Sequence, residues 1–144
     1  MNIPEEVKNK MRENGFSITN KTKSTLPRVS FVNIKNIVLG KNYSLSLVFI
    51  GERKSAELNL SYRNKNKPTN ILSFPLDKKT PVCAGRGEIF ITQKVAKKEA
   101  VLFNRKPDNF IVFLFIHGLL HLKGMEHGSR MERAEAKLCK QFRV

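Results

Sequence analysis

Cysteine is scarce: Cys83 and Cys139 are the only two in 144 residues. That is too few for a disulfide scaffold and ordinary for a reducing cytosol, so a cytoplasmic protein is expected. Long apolar runs are missing too. The longest covers residues 110–116, against the roughly 20 apolar residues a membrane-spanning helix needs, so no membrane partner is expected. The N-terminal MNIPEEVKNKMRENG has early acidic residues and no apolar core, which does not fit a secretory signal. Acidic residues are few, 12 against 27 Lys and Arg, for a net charge of +15 and a pI near 10.2. A surface so basic is complementary to nucleic acid or a ribonucleoprotein; the alternative is a basic surface that merely keeps the protein soluble. Lys and Arg are spread from Lys8 to Arg143 rather than gathered on one face, which argues against an anionic membrane. Internal repeats and low-complexity linkers are also absent, so residues 1–144 read as a single domain. Its 40% hydrophobic content and ten phenylalanines suffice for a core.

Punctuation by Pro, Gly and Asn divides the chain. Residues 4–14 predict a short helix stopped by Asn14 and Gly15, and residues 16–22 a strand. A helix is expected over 26–39, a strand over 43–50 (YSLSLVFI), and a helix of imperfect period over 52–63. A loop over 64–70 leads to a short extended segment, ILSFP, at 71–75. Residues 77–87 have loop composition and 88–92 (EIFIT) read as a strand. Helices follow at 94–103, at 110–123 with Asp108 as N-cap, and from Ser129 to 142. The expected class is α+β: one small, about four-stranded sheet covered by helices.

All three histidines fall within HGLLHLKGMEH, residues 117–127. On a helix, His117 and His121 stand one turn apart on the same face. Gly124 can take a left-handed conformation, ending the helix and bringing His127 round to the pair. Three neutral imidazoles describe an open metal site of catalytic type, in which a bound ion lowers the pKa of water from about 15.7 to about 7. A lone histidine on an apolar helix is usually a satisfied core residue, but this spacing is not that of a lone residue. A closed structural site with Cys139 or Cys83 as fourth ligand is the other option, although neither has paired-ligand spacing. The spacing also matches the metzincin peptidase pattern H-E-x-x-H-x-x-G-x-x-H. In that pattern the Glu is the general base, and here its place is taken by Gly118.

HGLLHLKGMEH resembles the signature H-G-x-L-H-L-x-G-[YF]-D-H of the YbeY-type endoribonucleases, which mature ribosomal RNA in bacteria. LNLSYRNKNKPTNILSFP, residues 58–75, is similar to that family's L-N-x-x-[YF]-R-x-K-[DN]-x-P-T-[DN]-V-L-S-F-P, and GEIFI at 87–91 is a weaker match to its G-D-[IL]-x-I. The likeness spans roughly residues 43–142. It implies a single-strand-specific, metal-dependent endoribonuclease acting in late 16S rRNA 3′-end maturation and ribosome quality control. The implied partners are single-stranded RNA, rRNA and the ribosome or its small subunit, with no peptide substrate. It also implies one Zn2+ per chain, other divalent metals being possible, held by His117, His121 and His127. The family's important arginine falls on Arg63, where a guanidinium can grip phosphate with two hydrogen bonds. Ser73 and Phe74 become candidates for RNA contact, and Lys65 and Lys67 for steering phosphate. Met131 is placed as a floor under the metal. The family's Tyr-Asp before the last histidine is Met125-Glu126 here, which makes Glu126 the candidate carboxylate for orienting a ligand. The remaining alternatives are a zinc metallopeptidase and a non-catalytic assembly factor stabilised by zinc.

Overall fold

Four short segments carrying apolar residues at every second position pair into one sheet. In the computed structural model, which describes residues 15–77 and 85–144, the elements run β1 (Phe16–Asn20), α1 (Phe31–Leu39), β2 (Ser44–Phe49), α2 (Glu52–Arg63), β3 (Ile71–Pro75), β4 (Arg86–Ile91), α3 (Gln93–Leu102), α4 (Pro107–Leu122) and α5 (Ser129–Phe142). The α+β class and the four-stranded sheet are as expected. Strand order is β1-β2-β4-β3, the first three parallel and β3 antiparallel at the edge. One row across the sheet reads Ile18, Leu47, Ile89, Ser73. Its first three members are buried apolar residues, and its last, on the edge strand, is a half-exposed hydroxyl.

Helix α4 lies along that face of the sheet and is apolar almost all round. From Phe110 to Leu122 only Phe113, His117 and His121 escape full burial, at i, i+4 and i+8. A helix this apolar belongs in the centre of a fold. Its core partners include Phe16 and Phe31, whose rings lie 6.4 and 5.1 Å from that of Phe115. One narrow stripe of α4 therefore reaches the surface, and it carries two of the three histidines.

Helix starts depart from expectation for local reasons. Helix α1 begins at Phe31 rather than 26, because Ser30 Oγ accepts from Asn33 N–H (3.3 Å) and caps it there. Helix α4 has Pro107 in its first turn and Lys106 as N-cap, so Asp108 is not the cap. Proline suits that position because its missing N–H would lack an intrahelical partner anyway, and Asp108 then complements the positive end of the helix dipole. The helix expected at 4–14 and most of the loop at 77–87 lie outside the described residues. Among the described residues no helix is long and apolar enough to cross a membrane.

Candidate metal centre and its cleft

The turn after α4 builds the site. Gly124 has φ +100°, Gly124 N–H bonds His121 O (2.9 Å) and Met125 N–H bonds Leu120 O (3.0 Å). These paired bonds are those of a Schellman C-cap, and they require a left-handed residue at Gly124. The reversal brings His127 back to the helix, so that one ring nitrogen from each of His117, His121 and His127 lies within 4.8 Å of the others.

The same turn fixes a tautomer. The Met125 carbonyl sits 3.1 Å from His121 Nδ1, and a carbonyl can only accept, so Nδ1 carries the proton and Nε2 presents a lone pair. His117 Nδ1 faces Glu135 Oε2 at 2.8 Å with the same result. The two bare Nε2 atoms then confront each other at 3.1 Å. Facing lone pairs repel unless a cation lies between them. Tetrahedral zinc with Zn–N bonds of about 2.0–2.1 Å holds its nitrogens roughly 3.4 Å apart, close to the spacing of this pair, and His127 lies within reach as a third donor. Burial, then the neighbouring His117 and His127, lower the His121 pKa, which favours the neutral, ligating form.

The carboxylate that orients a site histidine is Glu135, not Glu126. Glu126 is exposed and lines a separate cavity beside α1, because the turn at Gly124 points it away from the imidazoles. Glu135 was not anticipated, yet it had a signal. Met131, Glu135 and Cys139 form the buried i, i+4, i+8 stripe of α5, and a carboxylate in such a stripe needs a partner. Met131, 1% exposed, lines the same cavity as His117 and His127. Cys139 is outside the cluster, and burial pushes its thiol pKa up, away from the thiolate form a metal binds. Cys83 lies outside the described residues.

Two lobes of a cleft meet at the histidines. The polar lobe, about 440 Å³, is lined by Arg63, Asn70, Ile71, Ser73 and all three histidines. Arg63 reaches it from the last turn of α2, whose period is imperfect because its buried face is polar. Ser55 Oγ accepts from Thr69 N–H (2.9 Å) and donates to Thr69 O (3.0 Å), and Asn59 Nδ2 donates to Lys67 O (2.8 Å). These bonds staple the 64–70 loop to its own helix. Asn70, another residue sequence reasoning missed, donates to Glu99 Oε1 (2.7 Å) and borders both lobes. Lys65 and Lys67 are exposed on the loop and line neither lobe.

Strand alternation separates Ser73 from Phe74. Ser73 faces α4, while Phe74 points to the other side of the sheet, where its ring packs on Tyr62 (4.6 Å) and Phe90 (5.9 Å). Phe74 is therefore a packing residue away from the histidines, not a contact in this cleft. A Cβ on Gly118 would come 2.7 Å from Ser73 Oγ and 2.9 Å from Ile71 Cδ1. The place where a metzincin carries its glutamate is crowded by the side chains of Ser73 and Ile71.

An α+β fold with a three-histidine site capable of holding a metal thus defines the class. The family model described as Endoribonuclease YbeY matches residues 6–142, and the chain belongs to that family. The match begins well before residue 43, where recognisable signatures start. "Endoribonuclease YbeY" of Ehrlichia ruminantium is 35% identical over 132 residues, covering 88% of this chain and 79% of that protein. Its namesake from Ehrlichia chaffeensis is 32% identical over 119 residues, covering 82% and 77%. A Thermotoga maritima protein solved in solution shares the fold, with a TM-score of 0.62 and 23% identity over 89% of this chain and 91% of that one.

Proposed function

We propose that the protein is a metal-dependent endoribonuclease that cuts single-stranded RNA, with His117, His121 and His127 as metal ligands and Arg63 as the phosphate-binding residue. The observation that carries this reading is that Arg63 and the three histidines line one cavity, so a single phosphodiester can meet both. Family membership and the +15 charge support an RNA substrate. When bound, a divalent ion supplies Lewis acidity at a phosphoryl oxygen and to the attacking hydroxyl.

The chain's own residues do the rest. Glu135 and the Met125 carbonyl hold His117 and His121 in the tautomers that offer Nε2 inward. Arg63 donates to the non-bridging oxygens and offsets the negative charge they carry in the transition state. Ser73, on the cavity wall opposite α4, is placed to donate to a neighbouring phosphate or ribose oxygen. Lys65 and Lys67, exposed beside the Arg63 end of α2, attract the RNA backbone from outside the cleft. Zinc is the ion that three imidazoles with an open fourth position suit best. The substrate we infer is ribosomal RNA on the small subunit, with late 16S 3′-end maturation as the step.

A peptidase reading lacks the general-base glutamate at Gly118, where any side chain would have to push aside the Ser73 hydroxyl and the Ile71 terminal methyl. A purely structural metal is opposed by the openness of the site, whose ligands line cavities rather than a sealed core. The test is to quantify metal in the purified protein, then compare cleavage of single-stranded and duplex RNA by wild type and Arg63→Ala, with and without EDTA. Cleavage confined to single strands, abolished by EDTA and strongly reduced in the variant, is expected. Equal cleavage by both proteins would refute the role of Arg63. A 2′,3′-cyclic phosphate product would show that the ribose hydroxyl, rather than water, attacks.

A further inference from the structure

The second lobe of the cleft shares His117, His127 and Glu135 with the metal site, but the rest of its lining has a different chemistry. It encloses about 410 Å³, within the range of small-ligand sites, and opens onto His117 and His127. Its wall is a run of rings. Phe103 stacks on Phe110 (5.5 Å, 17°), Phe110 on Phe113 (5.9 Å, 21°), and Phe113 lies 6.2 Å from the His117 imidazole. Of these rings, Phe113 belongs to the partly exposed stripe of α4 that carries His117 and His121, Phe110 is buried behind it, and Phe103 comes from the end of α3.

A second turn anchors the far end. Asn104 is left-handed (φ 54°), with Asn104 N–H on Val101 O (3.2 Å) and Arg105 N–H on Ala100 O (2.9 Å). This Schellman closure of α3 lays the Phe103 ring against Phe110 and sets the Arg105 guanidinium 4.4 Å over the centre of Phe113. Phe103 is nonetheless 64% exposed, next to the exposed Val101 and Leu102, so its ring is open to a ligand from outside. The lobe is also lined by Glu132 and Glu135, the latter held on His117, but its ring wall, the Arg105 cation and the opening to a phosphate-binding site are features that suit stacking of an unpaired nucleobase.

We propose that the aromatic lobe is a nucleobase subsite, which takes the base of a nucleotide flanking the scissile phosphate and stacks it against the exposed ring of Phe103, with Phe113 and its Arg105 cap at the back of the lobe. The inference rests on the ribonuclease reading and deepens it. A base can enter only if it is unpaired, so the subsite gives the enzyme a physical reason to refuse duplex RNA. Stacking uses the π-face that every base has, so the lobe selects for single-strandedness rather than for one letter.

The test uses Phe103→Ala and Phe103→Trp, substitutions at an exposed ring, with thermal melting to check that both remain folded. Each protein is given a fluorescein-labelled single-stranded RNA, intact or with one abasic residue stepped across the cleavage site. Binding is read by anisotropy in EDTA, and cleavage with metal restored. Phe103→Ala should bind and cut intact RNA about tenfold less well, with Phe103→Trp close to wild type. An abasic residue at one position beside the cut should cost the wild type a similar factor and cost Phe103→Ala almost nothing further. If Phe103→Ala matches wild type on intact RNA, or its loss adds to that of every abasic position, the subsite is refuted while the ribonuclease reading stands, and the exposed ring then serves a protein partner. Failure of the metal-loaded wild type to cut any RNA would remove the ribonuclease reading and the subsite with it.

Discussion

The two helices that deliver the candidate site are held by opposite means. From Phe110 on, helix α4 is embedded in hydrocarbon and exposes only a stripe one residue wide, whereas α2 exposes most of its surface, Leu60 and Tyr62 included, and buries two polar side chains, Ser55 and Asn59. Each ends at a chemical group. Helix α4 and its turn present imidazoles that must keep a fixed mutual geometry to hold an ion. Helix α2 presents one long guanidinium that can adjust to a substrate. Apolar close packing resists displacement in every direction, while a few hydrogen bonds define a position and still allow small motions. The difference suits a rigid cage facing a more compliant clamp.

This contrast can be broken from either side. The largest effect is expected from His117→Ala, which removes a proposed ligand from the exposed stripe. Metal content, read by elemental analysis, and RNA cleavage should both fall to background while the melting temperature of the metal-free protein hardly changes. Unfolding instead would mean that the metal holds the fold. Next is Arg63→Ala, which should lower cleavage about 100- to 1000-fold, the loss seen when one transition-state donor is deleted, with metal content untouched. Loss of metal in that variant would show that the clamp and the cage are not separate. Glu135→Gln keeps the size of the side chain but weakens the hold on His117. Metal affinity, measured by competition with a chelator, should drop about 10- to 100-fold. The smallest effect belongs to Asn59→Ala, which cuts one loop staple at a cost of about 0.5–1.5 kcal/mol by chemical denaturation. Its KM for RNA should rise severalfold with metal affinity unchanged, and an equal loss of metal would contradict the division between the two helices.

Much of this was legible because it is local. The spans of α2, β3 and α5 follow from Gly51, Asn64, Pro75 and Ser129 at their ends, and the histidine turn from a glycine at the one place a left-handed residue was required. What escaped depends on docking between elements distant in sequence. Glu135 reaches His117 only because α5 lays its Met131 stripe on α4, and eighteen residues separate the pair. Asn70 enters the site because Glu99, on another helix, holds it there. Phe74 was misplaced for a simpler reason: with β3 read as an isolated segment, its two faces were not assigned, and the side chain falls on the face away from α4.

Gly118 bears on how this protein can change over generations. A single nucleotide substitution turns a glycine codon GGA or GGG into one for glutamate, which would complete the peptidase motif around ligands already in place. The side chains of Ser73 and Ile71 crowd that position, so the change carries an overpacking cost of about 1–3 kcal/mol before any new chemistry appears. Crossing to the other chemistry thus asks for more than one codon change, because the Ser73 hydroxyl and the Ile71 terminal methyl must give way as well.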